Sequence, residues 1–309
     1  MNSHLVVGLG AVPVDPVQNV LGDVADFVDS PSDEDLQAAF GAIVRADVDV
    51  DAELLDAMPA LKVLARTGVG TERVDLEEAG RRGISVAITP GSNTEAVAEG
   101  AFSHLLALTK SLRPLTSLVA EGRWSERGDH PVGDLLGGTL AVLGYGRIGS
   151  RVGQLAHAFG MRVVAFDPFV RVEGVEQAAT IEEAVAEATH ISIHLPSTPD
   201  TTGLIGASFM SRLRRGAILV NLARGDIADN DALLSGLQSG QLAGVGLDVF
   251  PDEPPRHHPL FDHPRVVLTP HVMGLSEQSA KRTFQMAAEA VLAVLRGEQP
   301  LAVATAPSV

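Results

Sequence analysis

Short apolar runs alternate with helix-patterned stretches along almost the whole chain, and this restricts it to parallel sheets with helices on both faces. In the first third, Leu5–Gly10, Gly41–Ala46, Leu61–Thr67 and Ile84–Thr89 read as strands. Helical patterns over Leu36–Phe40, Ala52–Met58 and Leu76–Arg82 separate them. The rhythm restarts at Thr139. Thr139–Gly144, Arg162–Asp167, His190–Pro196, Ala217–Ala223, Leu242–Phe250 and Arg265–His271 are the next strands, with helical segments near 147–159, 181–187 and 229–239. Between the two series, Asn93 or Thr94 caps a helix that runs to about Lys110 and is stopped by Pro114. A second long helix runs from about Ser276 to Leu295 and ends at Gly297 and Pro300. The fold class is therefore α/β, and the 309 residues suffice for two domains, the first completed by the C-terminal part of the chain. The tail Leu301–Val309 is expected to fray.

Two glycine clusters follow apolar strands. Gly8-Leu9-Gly10 has Pro13 at its third position and is followed by a segment that does not read as helical, so it is taken as a turn. Gly144-Tyr145-Gly146-Arg147-Ile148-Gly149 differs, because a strand enters it, a helix leaves it, and the next strand ends in Asp167. Gly144 supplies the tight turn, Gly146 lets backbone approach a pyrophosphate, and Gly149 allows close helix–strand packing. The phosphates then meet free N–H groups at the helix N-terminus, around Arg147 and Ile148. An acid roughly 20 residues beyond such a loop meets the ribose hydroxyls. The charge of Asp167 would repel a 2′-phosphate, which favours NAD over NADP, although Arg171 lies nearby.

Charge narrows the partners. Lys and Arg number 23 against 39 Asp and Glu, a net charge of −16 that repels nucleic acid and anionic membranes. An anionic small molecule would need a local positive patch. There is no cysteine, which removes thiolate chemistry and Cys-based metal sites and fits a reducing cytoplasm. The N-terminal apolar stretch has no preceding Lys or Arg and is broken by Pro13 and Asp15, so it reads as a strand and not a signal peptide. No apolar run reaches the length of a membrane span.

A dinucleotide site implies hydride transfer, which calls for a proton donor and a carbonyl polariser. In open parallel sheets, ligands bind beyond the carboxyl ends of the strands. Three second-series strands end suggestively: Ala217–Ala223 leads to Arg224, Leu242–Phe250 passes Asp248 toward Glu253, and Arg265–Pro270 delivers His271. A guanidinium can fork two hydrogen bonds onto a carboxylate and its neighbouring carbonyl, which lysine cannot reproduce. An imidazole titrates near neutrality, and a carboxylate beside it favours the charged form and fixes the ring.

The order of "LKVLARTGVG", "NTEAVAE", "GYGRIG", "NLARGD", "LDVFPDEPP" and "LTPHVMG", across positions 61–274, resembles the D-isomer-specific 2-hydroxyacid dehydrogenases. The resemblance implies an NAD-binding Rossmann domain (residues 96–275) inserted into a split, flavodoxin-like substrate domain (1–95 with 276–309), and a homodimer. It implies a small anionic 2-oxo or 2-hydroxy acid as substrate, with Arg224, Glu253 and His271 as the catalytic set. It places Asp248 near the nicotinamide amide, backbone N–H groups of Val69 and Gly70 on the substrate carboxylate, and Asn93 near the same pocket.

Some features depart from the family pattern or stand outside it. Glu72 or its neighbour stands where Asp is common, and Val272-Met273 follows His271 where a small residue is common, which would reshape the substrate pocket. Arg45 and Arg66 resemble arginines of the phosphoglycerate dehydrogenase branch, and either meet a substrate phosphate or are salt-bridged at strand ends. Hydroxypyruvate or glyoxylate reduction is the competing activity. His257, His258, Asp262 and His263 share a proline-rich loop without metal-ligand spacing, and no metal is expected. His190 and His194 flank a strand as interior histidines, with His194 able to approach the cofactor; His104 and His157 have no assigned chemistry. Trp124 is expected to pack, unless a dimer partner meets it. A different class, an NAD(H)-sensing binding protein of the same fold with little turnover, stays open at this level.

Overall fold

The structure, a computed structural model, describes residues 4–172 and 174–305. It divides into two compact units: one runs up to Asn93 and resumes at Leu275, and the other is Thr94–Gly274. In chain order the first unit builds β1 (His4–Leu9), α1 (Val14–Leu21), β2 (Ala25–Val28), α2 (Asp33–Ala38), β3 (Ala39–Val44), α3 (Ala52–Asp56), β4 (Val63–Arg66), α4 (Leu76–Arg81) and β5 (Ser85–Ala87). The second unit follows with α5 (Thr94–Thr109), α6 (Leu112–Ala120), β6 (Thr139–Leu143), α7 (Arg147–Ala158), β7 (Arg162–Phe166), β8 (Glu176–Gln177), α8 (Ile181–Val185) and β9 (His190–Ile193). It continues through α9 (Ala207–Met210), β10 (Ala217–Asn221), α10 (Asn230–Ser239), β11 (Leu242–Leu247), α11 (Pro259–Asp262) and β12 (Val266–Leu268). The chain then returns to the first unit with α12 (Glu277–Leu295) and β13 (Val303–Thr305).

The first sheet has the order β2-β1-β3-β4-β5-β13, parallel except for β13, which pairs antiparallel with β5. The 2-1-3-4-5 order is the flavodoxin-like one. The second sheet runs β8-β7-β6-β9-β10-β11-β12, parallel throughout. This is the dinucleotide-binding order, with the switch between β6 and β9. Alternate residues of one strand serve opposite faces. Ala141 and Leu143 join the core formed with α8, α9 and α10, whereas Leu140 and Val142 join that of α5 and α7. Burial on both faces is why these strands read as continuous apolar runs.

The structure corrects several expectations. The segment after Gly10 is helical: Val17 and Leu21 of α1, one turn apart, are buried, and Pro16 sits in the first turn, where its missing N–H is harmless. Phe40 belongs to β3, because α2 ends at Ala38 and Ala39 is already fully buried in the sheet. The edge strand β2 has no apolar run to mark it in the sequence, because only Ala25 of its four residues is buried. Pro114 does not stop α5. The break is at Ser111, whose φ is +53°, and Pro114 lies in the first turn of α6. Val303–Thr305 is not frayed but paired to β5; the last four positions lie outside the described residues.

Candidate dinucleotide and acid–base site

All strands of the second sheet are parallel, so their carboxyl ends share one rim. That rim carries the glycine loop after β6, Asp167 after β7, His194 after β9, Arg224 after β10, Asp248 after β11 and His271 after β12.

The loop geometry explains its glycines. Gly144 has φ +90°, and a Cβ on Gly149 would overlap the Gly144 carbonyl oxygen, so the first turn of α7 can lie against the end of β6 only without that side chain. A Cβ on Gly146 would meet nothing within 4 Å, which leaves backbone at the start of α7 open to a ligand. Arg147 is exposed and Ile148 half-buried, the latter packed against the core between α5 and α7. Asp167 closes the loop from the next strand: Oδ2 accepts from the Tyr145 N–H at 2.8 Å, and Oδ1 from Phe169 and Val170 at 2.9 and 3.0 Å. Its carboxylate keeps lone-pair capacity for a ribose hydroxyl. Open glycine backbone, free helix N–H groups and an acid at the next strand end fit a dinucleotide.

The expected acid–base residues are joined by a chain of contacts. Asn221, fully buried at the end of β10, donates from its amide to the Arg224 carbonyl at 2.8 Å and accepts from the Ala223 N–H at 3.0 Å, which shapes the turn displaying Arg224. The half-buried Arg224 donates from Nη1 to the Ala223 carbonyl at 2.8 Å. A Cβ on Gly225 would overlap the Phe250 backbone, so this turn lies directly on the loop after β11. There the Phe250 N–H donates to Glu253 Oε1 at 3.1 Å, and Glu253 Oε2 meets His271 Nδ1 at 2.7 Å. A carboxylate only accepts, so Nδ1 carries a hydrogen and Nε2 is left to exchange a proton. The pair is partly exposed and borders a cavity of about 400 Å³ that Phe250, Pro254, Pro255, Leu268 and Pro270 make largely apolar.

His271 itself has φ +53°, the left-handed region uncommon for a side-chain-bearing residue. Buried Asp248 holds the turn: Oδ1 accepts from Thr269 Oγ1 at 2.6 Å and the Val272 N–H at 3.0 Å, and Oδ2 from the Met273 N–H at 3.1 Å. Three hydrogen bonds thus tie Asp248 to the His271 turn, which the sequence did not signal.

Other expectations fall elsewhere. Met273 packs into the space left by Gly100 on α5 and is absent from the lining of the cavity beside His271. His190 bridges Thr109 and Thr189, and His194 meets Ser192 at 2.8 Å; burial pushes both imidazoles down to about 4. The 257–263 segment contains the short α11, capped by His258, with His257 on Asp262 and His258 on Asp231, and no metal-binding cluster occurs among the described residues. Trp124 is 64% exposed with Arg127 over its ring, so within this chain it is not a packing residue. In the first unit, Val69 and Gly70 lie in the loop after β4, Val69 exposed, and Asn93 is half-buried. Arg66 is buried, donating to the Thr67 and Ala46 carbonyls, and Arg45 faces Asp47 at 3.6 Å.

Residues 102–273 match the family described as D-isomer specific 2-hydroxyacid dehydrogenase, NAD binding domain. The chain belongs to this family. Its second unit is the family's NAD-binding domain, in keeping with the glycine loop and Asp167. It is 38% identical over 288 residues to D-3-phosphoglycerate dehydrogenase of Mycobacterium tuberculosis, covering 90% of this chain and 54% of that one. To glyoxylate reductase of Korarchaeum cryptofilum it is 39% identical over 261 residues, 81% and 78% of the two chains. Among solved structures, D-lactate dehydrogenase of Aquifex aeolicus, complexed with NAD and lactic acid, superposes with a TM-score of 0.82 at 29% identity. That match covers 98% of this chain and all of the other. The family member described here spans about half the length of the phosphoglycerate dehydrogenases it matches. No helix among its described residues is long and apolar enough to cross a membrane.

Proposed function

We propose that this chain is an NAD-dependent oxidoreductase that interconverts a D-2-hydroxy acid and its 2-oxo acid. The observation that carries this reading is the 2.7 Å pairing of Glu253 with His271 Nδ1, on the rim that also bears the glycine loop and Arg224. Arg224 receives the substrate carboxylate and polarises the adjacent carbonyl through its forked donors. Glu253 fixes the imidazole by accepting from Nδ1, so that His271 Nε2 gives a proton to the carbonyl oxygen during reduction. Neutral His271 takes that proton back during oxidation. The backbone at Gly146, Arg147 and Ile148 holds the pyrophosphate, and Asp167 the ribose. When bound, the dinucleotide supplies or accepts the hydride at the substrate carbon.

The substrate we favour is a small unphosphorylated acid, glyoxylate or hydroxypyruvate. Arg66, the arginine a phosphate would call on, is buried and bonded to backbone carbonyls, and Arg45 already faces an aspartate. D-3-phosphoglycerate is the second reading, supported by the 38% identity to the mycobacterial enzyme of that name. A cytoplasmic homodimer completes the proposal. The exposed Leu112, Val119, Trp124, Val132 and Leu136, all within one stretch of the second unit, support self-association, and light scattering tests it.

The deciding experiment is steady-state NADH oxidation with glyoxylate, hydroxypyruvate, pyruvate and 2-oxoglutarate, and NAD reduction with D-3-phosphoglycerate. Turnover that falls about 10²- to 10⁴-fold in His271→Ala, with NADH binding retained, supports the reading. NADH binding with no turnover of any acid would instead favour an NAD(H)-sensing protein.

A further inference from the structure

His104 lies in the middle of α5, only 1% exposed, surrounded by the apolar residues of that helix. Its Nε2 is 3.1 Å from Thr269 Oγ1, while Nδ1 has no hydrogen-bond partner among the described residues. Thr269 has a single hydroxyl proton, and its partner at 2.6 Å is Asp248 Oδ1. The carboxylate can only accept, so the proton goes to Asp248. His104 must then donate from Nε2, which makes it the Nε2–H tautomer with a bare Nδ1. Burial lowers the pKa of His104, opposed by the nearby Asp248 charge, so the ring is neutral at pH 7. The opposite strand makes room for it: a Cβ on Gly246 would come within 2.9 Å of both His104 Cβ and Nδ1.

A buried imidazole with an unpartnered nitrogen is a costly way to fill a core position that Leu or Met would fill more cheaply. What it provides is direction. Its N–H occupies a lone pair of Thr269 and leaves the hydroxyl proton committed to Asp248. Asp248 in turn receives the N–H groups of Val272 and Met273 on the far side of the left-handed His271. We propose that His104 and Thr269 are positioning residues, a buried strut that fixes the Asp248 carboxylate and through it the turn presenting His271. This inference rests on His271 as the proton donor, and it assigns His104 a purpose that its place in an apolar helix face conceals.

The test pairs Thr269→Val, which removes the hydroxyl with little change of shape, with Thr269→Ser, which restores it. His104→Met and His104→Gln do the same for the other end of the strut, Gln returning an N–H donor. Three quantities are read: kcat and KM with the preferred 2-oxo acid, the NADH Kd, and the Cε1–H resonance of His271 in the folded protein. Thr269→Val should lower kcat by about tenfold to a hundredfold, on the order of what slight misplacement of a reacting group brings. KM for the 2-oxo acid should stay within about twofold, any loss of NADH affinity should be much smaller than the loss of kcat, and the His271 resonance should shift or broaden. Thr269→Ser should recover kcat and the wild-type resonance, and His104→Gln should exceed His104→Met. Equal kcat in the Val and Ser variants, with an unmoved His271 resonance, overturns the strut. The two readings separate cleanly: a wild type that turns over no acid removes the proposed activity, while the resonance of His271 still decides the strut.

Discussion

The two units contain nearly the same turn. Each begins with a buried parallel strand, follows it with Gly-x-Gly, then a helix, then a second strand with an aspartate just beyond it: Gly8, Gly10, α1, β2 and Asp29 in one, Gly144, Gly146, α7, β7 and Asp167 in the other. Only one is built to hold a ligand. In the first unit the turn is filled from within. A Cβ on Gly8 would press on the Phe27 ring at 3.0 Å and one on Gly10 on the Arg45 side chain at 2.9 Å. Helix α1 starts four residues after Gly10, with Pro13 at its cap and Pro16 in its first turn, so two of the N–H donors an anion would use are missing. In the second unit α7 starts right after Gly146, its first-turn N–H groups are present, and the space over Gly146 is open. A strand–turn–helix unit becomes an anion site through what it leaves empty, more than through its glycines.

The largest effect that would sharpen this contrast is acid sensitivity. Every histidine but His4 belongs to the second unit, and burial pushes His190 down to about 4 from 6.5. Folded His190 stays unprotonated until about pH 4, whereas the unfolded chain takes up the proton near pH 6.5. Its contribution is therefore complete above pH 6.5 and falls away as pH drops toward 4, by about 3 kcal/mol. Hydrogen exchange on peptides from the two units should show the second losing protection first, and His190→Gln should narrow the gap. Next, Gly149→Val should destabilise the second unit by about 1–3 kcal/mol in urea titration and abolish NADH binding, because the new side chain meets the Gly144 carbonyl. Gly146→Ala should leave the urea midpoint unchanged yet weaken NADH about tenfold, or about 1.4 kcal/mol. Smallest, Gly10→Ala should cost about 1 kcal/mol through its φ of +88° and leave NADH affinity as it was. Weakened NADH binding in that variant would break the comparison.

Much of the architecture was legible because parallel strands buried on both faces carry their signal locally. Every second-series run corresponds to a strand, and α5 and α12 span nearly the stretches their patterns mark. What escaped was carried by few residues or by exceptions to a local rule. Half-exposed β2 shows no apolar run, and prolines at 16 and 114 read as breakers although each falls in a first turn, where it does no harm. At the candidate site, the glycine loop, Asp167, Arg224, Glu253 and His271 were each visible as a residue type at a strand end. The strut was not. His104 and Thr269 lie far apart in sequence, in segments whose own patterns say only helix and strand end.

The order of residues alone placed the glycine loop, Asp167, Arg224, Asp248 and His271 at strand ends, and so on one rim, since in a parallel sheet every strand delivers its carboxyl end to the same side. Tertiary packing decided which of the two glycine turns stays open, where Met273 points, and that Asp248 is bound to the His271 turn. The reason is one of range. Backbone periodicity is set by neighbours a few residues away, whereas an empty space or a shared proton depends on side chains that only folding brings within about 3 Å of one another.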